Sequence, residues 1–167
     1  MNKIFRKLVV FVIGMLIVGG FLFPQVSAAT ISGSGTQSSP YLITNESTLR
    51  QLATNVKNGT SYSGKYFRVT ANITLTQTWT PIGTATTAFR GTFDGNGKTI
   101  SGMTVTGEHV GLFAYVGSGA TIKNVNLTNF DVSGKSYLAG LVAHADAGTG
   151  SITISNCSVN GTLRDTE

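Results

Sequence analysis

Alternating apolar positions dominate most of the chain. Phe67, Val69, Ala71, Ile73 and Leu75 occupy every second position of one stretch. Side chains that recur with a period of two lie on one face of a β-strand. The pattern therefore predicts that these five side chains point inward together.

A short pattern with a change of phase occurs three times, at residues 100–105, 122–127 and 154–159. In each copy an apolar residue is followed two positions later by Gly or Asn, and the next apolar pair falls on the opposite parity. Gly and Asn tolerate positive φ. The phase change therefore predicts a corner at which the chain turns while its apolar side stays inward. Repeated corners predict a solenoid of stacked β-rungs, where a rung is one complete turn of the chain.

A second repeat interleaves with the first. The sequence Gly-Leu-Phe-Ala at residues 111–114 recurs as Gly-Leu-Val-Ala at residues 140–143. The intervals between the corner patterns differ both from this one and from each other. Loose spacing is typical of a β-solenoid, because insertions fall in loops and leave the rungs in register. The two repeats together predict an all-β fold.

One segment has the period of a helix instead. Its apolar residues follow the i, i+3, i+4, i+7 spacing of an amphipathic helix; they are Leu49, Leu52, Ala53 and Val56. Polar residues before it (Thr44, Asn45 and Ser47) offer N-cap oxygens, and Asn58 with Gly59 supplies a stop. A stack of rungs leaves an open apolar end with unpaired backbone groups, and we expect this helix to cover that end.

The segment 1–29 has the features of a secretory signal peptide. Three basic residues, Lys3, Arg6 and Lys7, precede an apolar run over residues 8–23, and Pro24 ends that run. Residues 26–28 form a small-x-small cleavage site, with residues 27–29 as the competing frame. An uncleaved N-terminal anchor is the alternative, and in either case the rest of the chain lies outside the cytosol.

The charge balance gives no reason to expect a nucleic-acid partner. The full chain has 12 Lys+Arg and 7 Asp+Glu. Three basic residues belong to the predicted signal, so 9 remain against 7 and the net charge falls to +2. No basic cluster with interleaved aromatic residues is present in the sequence. We expect a flexible lead-in at residues 30–40, an N-terminal strand and capping helix at 41–63, and β-rungs at 64–167.

Two motifs that resemble ligand-binding loops do not meet the requirements of those loops. Gly97-Lys98-Thr99 has the tail of a phosphate-binding loop, but the required first glycine is Thr92 and a strand follows instead of a helix. Asp94 with Asn96 has half of a calcium loop, without the downstream acidic ligands. A structural turn is the preferred interpretation of this segment.

The remaining reactive side chains do not form a catalytic pattern. The spacing of Asp94, Asp131 and Asp146 in principle brings two of them near each other across rungs. Cys157, the single cysteine, occupies an inward apolar slot of the corner pattern. His109 and His144 have no suggestive spacing, and His144 is expected to be a solvated loop residue. We therefore predict no catalytic residues, no cofactor site and no metal site, and a chain that is not an enzyme.

Two polar features have structural or binding interpretations. Asn124 and Asn156 occupy equivalent corners, so their amides are expected to hydrogen-bond along the solenoid axis. The Thr- and Ser-rich outer faces offer hydrogen bonds to a carbohydrate or a protein, and Tyr62 and Tyr115 are candidate contacts or packing residues.

The chain resembles bacterial surface proteins that carry GLUG-motif repeats. The resemblance rests on residues 79–83, the Phe-Asp-Gly-Asn-Gly sequence within 89–100, and the two Gly-Leu-x-Ala segments, and it covers about residues 40–163. It implies a right-handed parallel β-helix in a secreted or wall-associated, adhesin-like protein. Such repeats are also found in non-catalytic regions of immunoglobulin A-specific metallopeptidases. The resemblance implies no catalytic residues.

These observations together predict an exported structural or adhesive β-helix module that binds a host or cell-wall glycan or protein. A non-catalytic targeting region of a secreted peptidase or glycan-active enzyme is the alternative. We expect no stable membrane span if the signal is cleaved. The sequence ends directly after the third corner strand, which we interpret as a fragment of a longer protein, the alternative being that the last residues fold over the end. An open end favours self-association.

Overall fold

A computed structural model describes residues 30–167 of the protein. The predicted signal peptide, residues 1–29, lies outside the described residues. One helix and twelve strands follow one another along the chain: β1 Tyr41–Ile43, α1 Glu46–Lys57, β2 Tyr66–Val69, β3 Ile73–Thr74, β4 Thr92–Asp94, β5 Thr99–Ser101, β6 Thr104–Thr106, β7 Phe113–Gly117, β8 Thr121–Lys123, β9 Asn126–Gly134, β10 Val142–Asp146, β11 Thr153–Ser155 and β12 Ser158–Asp165.

The strands form three parallel sheets that run along a solenoid. The first sheet has the order β1-β2-β4-β8-β11, and the second has the order β3-β5-β9-β12, with β6 beside the second half of β9. The third sheet consists of β7 and β10. Four rungs therefore begin at β2, β4, β8 and β11. The predicted all-β parallel solenoid with an N-terminal helix is confirmed.

Inward side chains stack in columns from rung to rung. In the first sheet, Phe67 pairs with Phe93, Phe93 with Ile122, and Ile122 with Ile154. The first three of these side chains are at most 1% exposed. Burying each one stabilises the fold by about 1.5–3 kcal/mol. The loops between rungs differ in length, but the columns stay in register.

The Gly-Leu-x-Ala repeats stack on each other, as the sequence predicts. Phe113 pairs with Val142, the third position of each repeat. The Leu112 N–H donates to the Gly140 carbonyl oxygen at 2.9 Å. The interval between the two copies of this repeat is therefore the length of one rung.

Two of the three corner patterns also stack as predicted. Ile122 pairs with Ile154, and the corner residues that follow them, Asn124 and Asn156, have φ of 54° and 51°. Cys157 follows Asn156 in this corner and packs partly buried against the core, with its Sγ 3.2 Å from the Ser155 carbonyl oxygen.

The first corner pattern belongs to a different corner, so our alignment of all three copies was wrong. Ile100 pairs with Leu127 in the second sheet. Gly102, with φ of 75°, donates its N–H to the Thr128 carbonyl oxygen, next to Asn129 with φ of 52°. A rung has several corners, and residues with positive φ occur at more than one of them. The same sequence pattern therefore occurs at corners that do not stack.

The alternation predicted from Phe67 onward holds for all but one position. Phe67, Val69, Ile73 and Leu75 are buried, whereas Ala71 is exposed. Strand β2 ends at Val69 and β3 begins at Ile73, so Ala71 lies in the corner between them. A period of two describes side-chain direction only within a strand, and the inward prediction for Ala71 was therefore wrong.

Residues 30–40, for which the composition predicted a flexible lead-in, contact the first rung. Ser32 forms a bridge with Leu42 of β1, and the Tyr66 N–H donates to the Gly35 carbonyl oxygen at 3.1 Å. Gly35 is buried because the Tyr41 ring lies directly against it. These contacts attach the segment to the edge of the first sheet.

Helix α1 begins and ends where the sequence predicts. The Asn45 side chain accepts a hydrogen bond from the Thr48 N–H at 3.0 Å, and the Thr48 hydroxyl accepts from the Asn45 N–H at 3.1 Å. This reciprocal pair forms a capping box. The predicted apolar residues are buried in the same cluster as the solenoid core: Leu49, Leu52, Ala53 and Val56.

An ion pair on α1 satisfies backbone groups of the first rung. The Glu46 carboxylate accepts from the Thr76 N–H at 3.2 Å, and the Arg50 guanidinium donates to the carbonyl oxygens of Gln77 at 2.6 Å and Thr78 at 3.0 Å. The two side chains also bind each other at 2.7 Å. They take the place of a neighbouring strand, because a carboxylate accepts and a guanidinium donates the bonds that an adjacent backbone would supply.

The environment of Glu46 lowers its pKa. Desolvation by burial raises the pKa, but hydrogen bonds from the Thr76 hydroxyl and from Arg50, the Thr76 N–H and the charge of Arg50 outweigh that effect. The carboxylate therefore contributes stability above the ordinary value of 4.5, and the contribution is lost as the pH falls through the lowered pKa.

A polar ladder crosses three rungs at the corner after the first sheet. The Asn124 side-chain amide donates to Asp94 Oδ1 at 2.8 Å, and the Asn156 amide donates to Asn124 Oδ1 at 2.7 Å. The Asn96 N–H also donates to Asp94 Oδ1, at 2.9 Å. The predicted hydrogen bond between Asn124 and Asn156 along the axis is confirmed, and the ladder begins on a carboxylate.

We predict that Glu46→Gln lowers the free energy of unfolding by about 1–2 kcal/mol at pH 7, because it removes the charge that holds Arg50 and the rung edge. The difference from the wild type should shrink as the pH falls below 4.5 and through the lowered pKa of Glu46, since the unfolded chain and then the folded protein take up the proton. Thermal melts at pH 7 and pH 3 measure both effects. Glu108→Gln, a change at an exposed carboxylate, is the control. An equal deficit at both pH values would contradict the role of the charge.

We predict that Asn124→Ala destabilises the fold by about 1–3 kcal/mol, because it removes the amide that joins Asp94 to Asn156 and places Ala at a φ of 54°. Asn124→Gly keeps a residue that tolerates positive φ and removes only the amide, so it should lose less. Chemical denaturation of both variants separates the loss of the ladder hydrogen bonds from the backbone strain that Ala introduces. If Asn124→Gly is as stable as the wild type, the ladder makes no net contribution.

Candidate binding surface beside the third sheet

Four aromatic rings meet beside the third sheet. Tyr115 of β7 pairs in register with His144 of β10. His109 directly precedes Val110, and Tyr137 directly precedes Leu138. Val110 and Leu138 form a parallel bridge between the same two rungs. We call these four side chains the ring cluster.

Three members of the ring cluster form a stack, and the fourth meets it at an angle. The His109 ring lies 4.2 Å from Tyr137 and 5.2 Å from Tyr115, centroid to centroid, with interplanar angles of 15° and 17°. The His144 ring lies 5.1 Å from Tyr115 and is tilted by 50°. Tyr137 is 59% exposed, so one end of the stack is open to solvent.

The backbone is strained at two members of the stack, its centre His109 and its open end Tyr137. His109 and Tyr137 have φ of 51° and 52°, the left-handed region that bulky side chains rarely adopt. Each such residue costs about 1–3 kcal/mol. Backbone hydrogen bonds hold the conformation: the His109 N–H donates to the Ser136 carbonyl oxygen, and the Val110 N–H donates to that of Tyr137, both at 3.2 Å. Strain of this kind is common at functional sites.

A hollow of 390 Å³ is lined in part by Tyr115. Its polar lining includes a guanidinium, a carboxylate, an imidazole and several hydroxyls, from Arg90, Asp146, His144, Ser61, Thr86 and Thr87. The Arg90 guanidinium lies against the backbone of Gly117, and Asp146 accepts from the Gly148 N–H at 2.9 Å. These contacts orient both charged groups of the hollow.

A second hollow of 310 Å³ is also lined in part by Tyr115 and borders His109. Pro81, Thr84, Lys57 and Glu108 are among the other residues that line it. Each hollow therefore has one Lys or Arg and one Asp or Glu in its lining, and neither presents a strong charge of one sign.

A short threonine loop connects the two hollows. The Thr84 N–H donates to the Thr87 carbonyl oxygen at 2.9 Å, and the Thr87 N–H donates to the Thr84 hydroxyl at 2.9 Å. The Thr84 and Thr86 hydroxyls lie 3.1 Å apart. Gly83 precedes the loop with φ of 94°, and a Cβ there would lie 2.2 Å from the Tyr115 carbonyl oxygen. Only glycine fits at this position, so the loop is held close to the ring cluster.

The three carboxylates considered as catalytic candidates do not meet. Asp94 lies in β4 of the first sheet, Asp131 in β9 of the second and Asp146 in β10 of the third. Asp94 takes part in the polar ladder, with Arg68 at 3.7 Å and Lys123 at 3.9 Å. Asp131 forms an ion pair with Arg164, whose Nε lies 3.0 Å away. Each carboxylate therefore lies in a different sheet of the solenoid.

The two candidate tyrosines have different positions. Tyr115 belongs to the ring cluster. Tyr62 packs with its ring 4.8 Å from that of Phe67, and its hydroxyl accepts from the Asn55 amide at 2.8 Å. Tyr62 thus supports the join between α1 and the first rung.

His144 lies in strand β10, and our expectation of a loop residue was wrong. The sequence analysis also missed the ring cluster, although the repeats contain a signal for two of its four members. Tyr115 and His144 each follow the glycine of their Gly-Leu-x-Ala repeat by four positions. Aligning the repeats therefore places one ring over the other.

Within residues 30–167, no group of three or more His, Cys, Asp or Glu residues is arranged to hold a metal ion. In the same part of the chain, no helix is long and apolar enough to cross a membrane.

Comparison with known proteins identifies two relatives among curated proteins. Halomucin of Haloquadratum walsbyi is 32% identical over 149 residues, covering 81% of this chain and 2% of that protein. A protein of Evansella cellulosilytica, provisionally named a Gly-rich membrane protein, is 31% identical over 147 residues, covering 80% of this chain and 16% of that protein. No family model and no solved structure matches the chain. The chain thus spans a small part of the length of the relatives.

Proposed function

We propose that the chain is an exported structural and adhesive β-helix module of a bacterial surface protein, and that it binds or presents a ligand and does not catalyse a reaction. The observation that carries this proposal is the ring cluster. The cluster is a partly exposed aromatic surface with a strained backbone, and it lies on the outside of the solenoid. The stacked apolar columns form the core beneath it. Exposed aromatic residues on a rigid support are typical of binding surfaces.

The relatives support a module within a larger protein. One carries the name halomucin and the other is named as a membrane protein, and the similar segment is 2% and 16% of their lengths. A solenoid suits such an arrangement because each rung contacts only its neighbours, so rungs can be added without changing the existing core. The resemblance to GLUG-repeat surface proteins leads to the same proposal.

The last rung supports the proposal of self-association. Its inward positions Ile154, Val159 and Leu163 are 47%, 50% and 52% exposed, whereas their partners one rung earlier are buried. Strands β11 and β12 also form the outer edges of the first and second sheets. An apolar face beside unpaired strand edges favours addition of another strand layer, from a second copy or from a longer chain.

The test of export is the intact mass of the native product in the culture medium, the cell-wall fraction and the cytosol. We expect it outside the cytosol, without residues 1–28 or 1–29, because the signal pattern ends there. A fluorescent form of the purified chain should also adhere to cell surfaces. Retention of the full leader in the cytosol would contradict the exported role, and a chain that adheres to no surface would contradict the adhesive role.

We predict that Val159→Lys combined with Leu163→Lys reduces concentration-dependent association, because charges on the open face oppose another apolar layer. Sedimentation velocity over a hundredfold range of concentration measures the effect. The matched control is Thr162→Lys, on an exposed position of the same strand. A wild type that stays monomeric over the whole range would contradict self-association through this end.

A further inference from the structure

We infer that the ring cluster and its two hollows form a binding site for a neutral oligosaccharide, a conclusion that rests on the proposed adhesive function. The site has two parts that call for different ligand chemistry. The stack of Tyr115, His109 and Tyr137 offers the flat outer face of Tyr137 at its open end. The hollows beside Tyr115 offer hydroxyls and charged hydrogen-bonding groups.

A chain of pyranose rings satisfies both parts, with one unit on the open end of the stack and others in the hollows. One face of such a sugar carries C–H groups, which pack on the electron-rich face of an aromatic ring. The rim of the sugar carries hydroxyls, which donate to and accept from side chains such as Thr87, Arg90 and Asp146. A purely aromatic ligand would use the rings but would leave the polar hollows without partners, at a cost in desolvation.

The charge of the lining favours a neutral ligand. The charged residues are Arg90 and Asp146 in one hollow and Lys57 and Glu108 in the other. Equal numbers of positive and negative groups give no excess attraction for a polyanion such as a nucleic acid or a strongly acidic glycan. Mixed charges do supply strong hydrogen bonds to hydroxyl groups.

The arrangement of the two hollows indicates an oligosaccharide longer than one unit. Tyr115 borders both hollows, and the stack extends from it over the next rung to Tyr137. Successive sugar units can thus occupy the two hollows that share Tyr115. The threonine loop at residues 84–87 is already closed by its own hydrogen bonds, so little ordering accompanies binding.

The test is isothermal titration of the purified chain with cello-, malto-, xylo- and chito-oligosaccharides, followed by ¹⁵N NMR with any sugar that binds. We expect at least one series to bind, with shifts concentrated around Tyr115 and Tyr137. Tyr137→Ala should weaken Kd about tenfold or more, since it removes the open end of the stack. Tyr137→Phe should stay within about threefold of wild type.

The matched control is Tyr66→Ala, a half-buried tyrosine of the first sheet, which should keep wild-type affinity. Melting temperatures of all variants show whether each remains folded. Equal affinity of Tyr137→Ala and wild type, or equal losses in Tyr137→Ala and Tyr66→Ala, would overturn the placement of the site. A chain that adheres to cell surfaces but binds no oligosaccharide, or binds protein-coated surfaces instead, would overturn the ligand class and leave the adhesive function standing. A chain that does neither would overturn both.

Discussion

The register between successive rungs is the constraint on which the rest of this structure depends. Each inward side chain packs on an inward side chain of the next rung, as Phe67, Phe93 and Ile122 do in the first sheet. A slip of one residue would turn such a column toward solvent, because side chains alternate with a period of two. The corners must therefore absorb every difference in loop length, and residues with positive φ allow them to do so.

Stacking creates a second requirement, because an uncovered end rung of a solenoid has unpaired backbone groups and apolar surface. At the N-terminal end, α1 supplies the apolar cover, and Glu46 with Arg50 binds the edge of the first rung as a strand would. Because Glu46 and Arg50 bind the first rung through their side chains, they do not present a new strand edge that another chain can extend. The last described rung instead exposes its inward positions and both strand edges.

The division between inside and outside explains how such a fold can carry a binding surface. Stability comes from the columns and from the ladder that joins Asp94, Asn124 and Asn156. The outer side chains are therefore less constrained by packing. The ring cluster consists of such outer side chains. Hydrogen bonds between adjacent rungs maintain the strained backbone at His109 and Tyr137. A single unstacked loop would not maintain that geometry at low cost.

The sequence by itself determined the solenoid, the helix and its caps, the stacking of the Gly-Leu-x-Ala repeats and the amide bond between Asn124 and Asn156. These features follow from local periodicity and from residues with special backbone freedom, both of which are readable along the chain. The tertiary structure alone decided which corners stack, so Gly102 lies beside Asn129 and Ala71 lies outside. It also decided that His109 and Tyr137 join Tyr115 and His144, and that Glu46 and Arg50 reach residues 76–78. Those contacts join positions about one rung apart, and loops of unequal length set that distance, so no fixed period in the sequence records it.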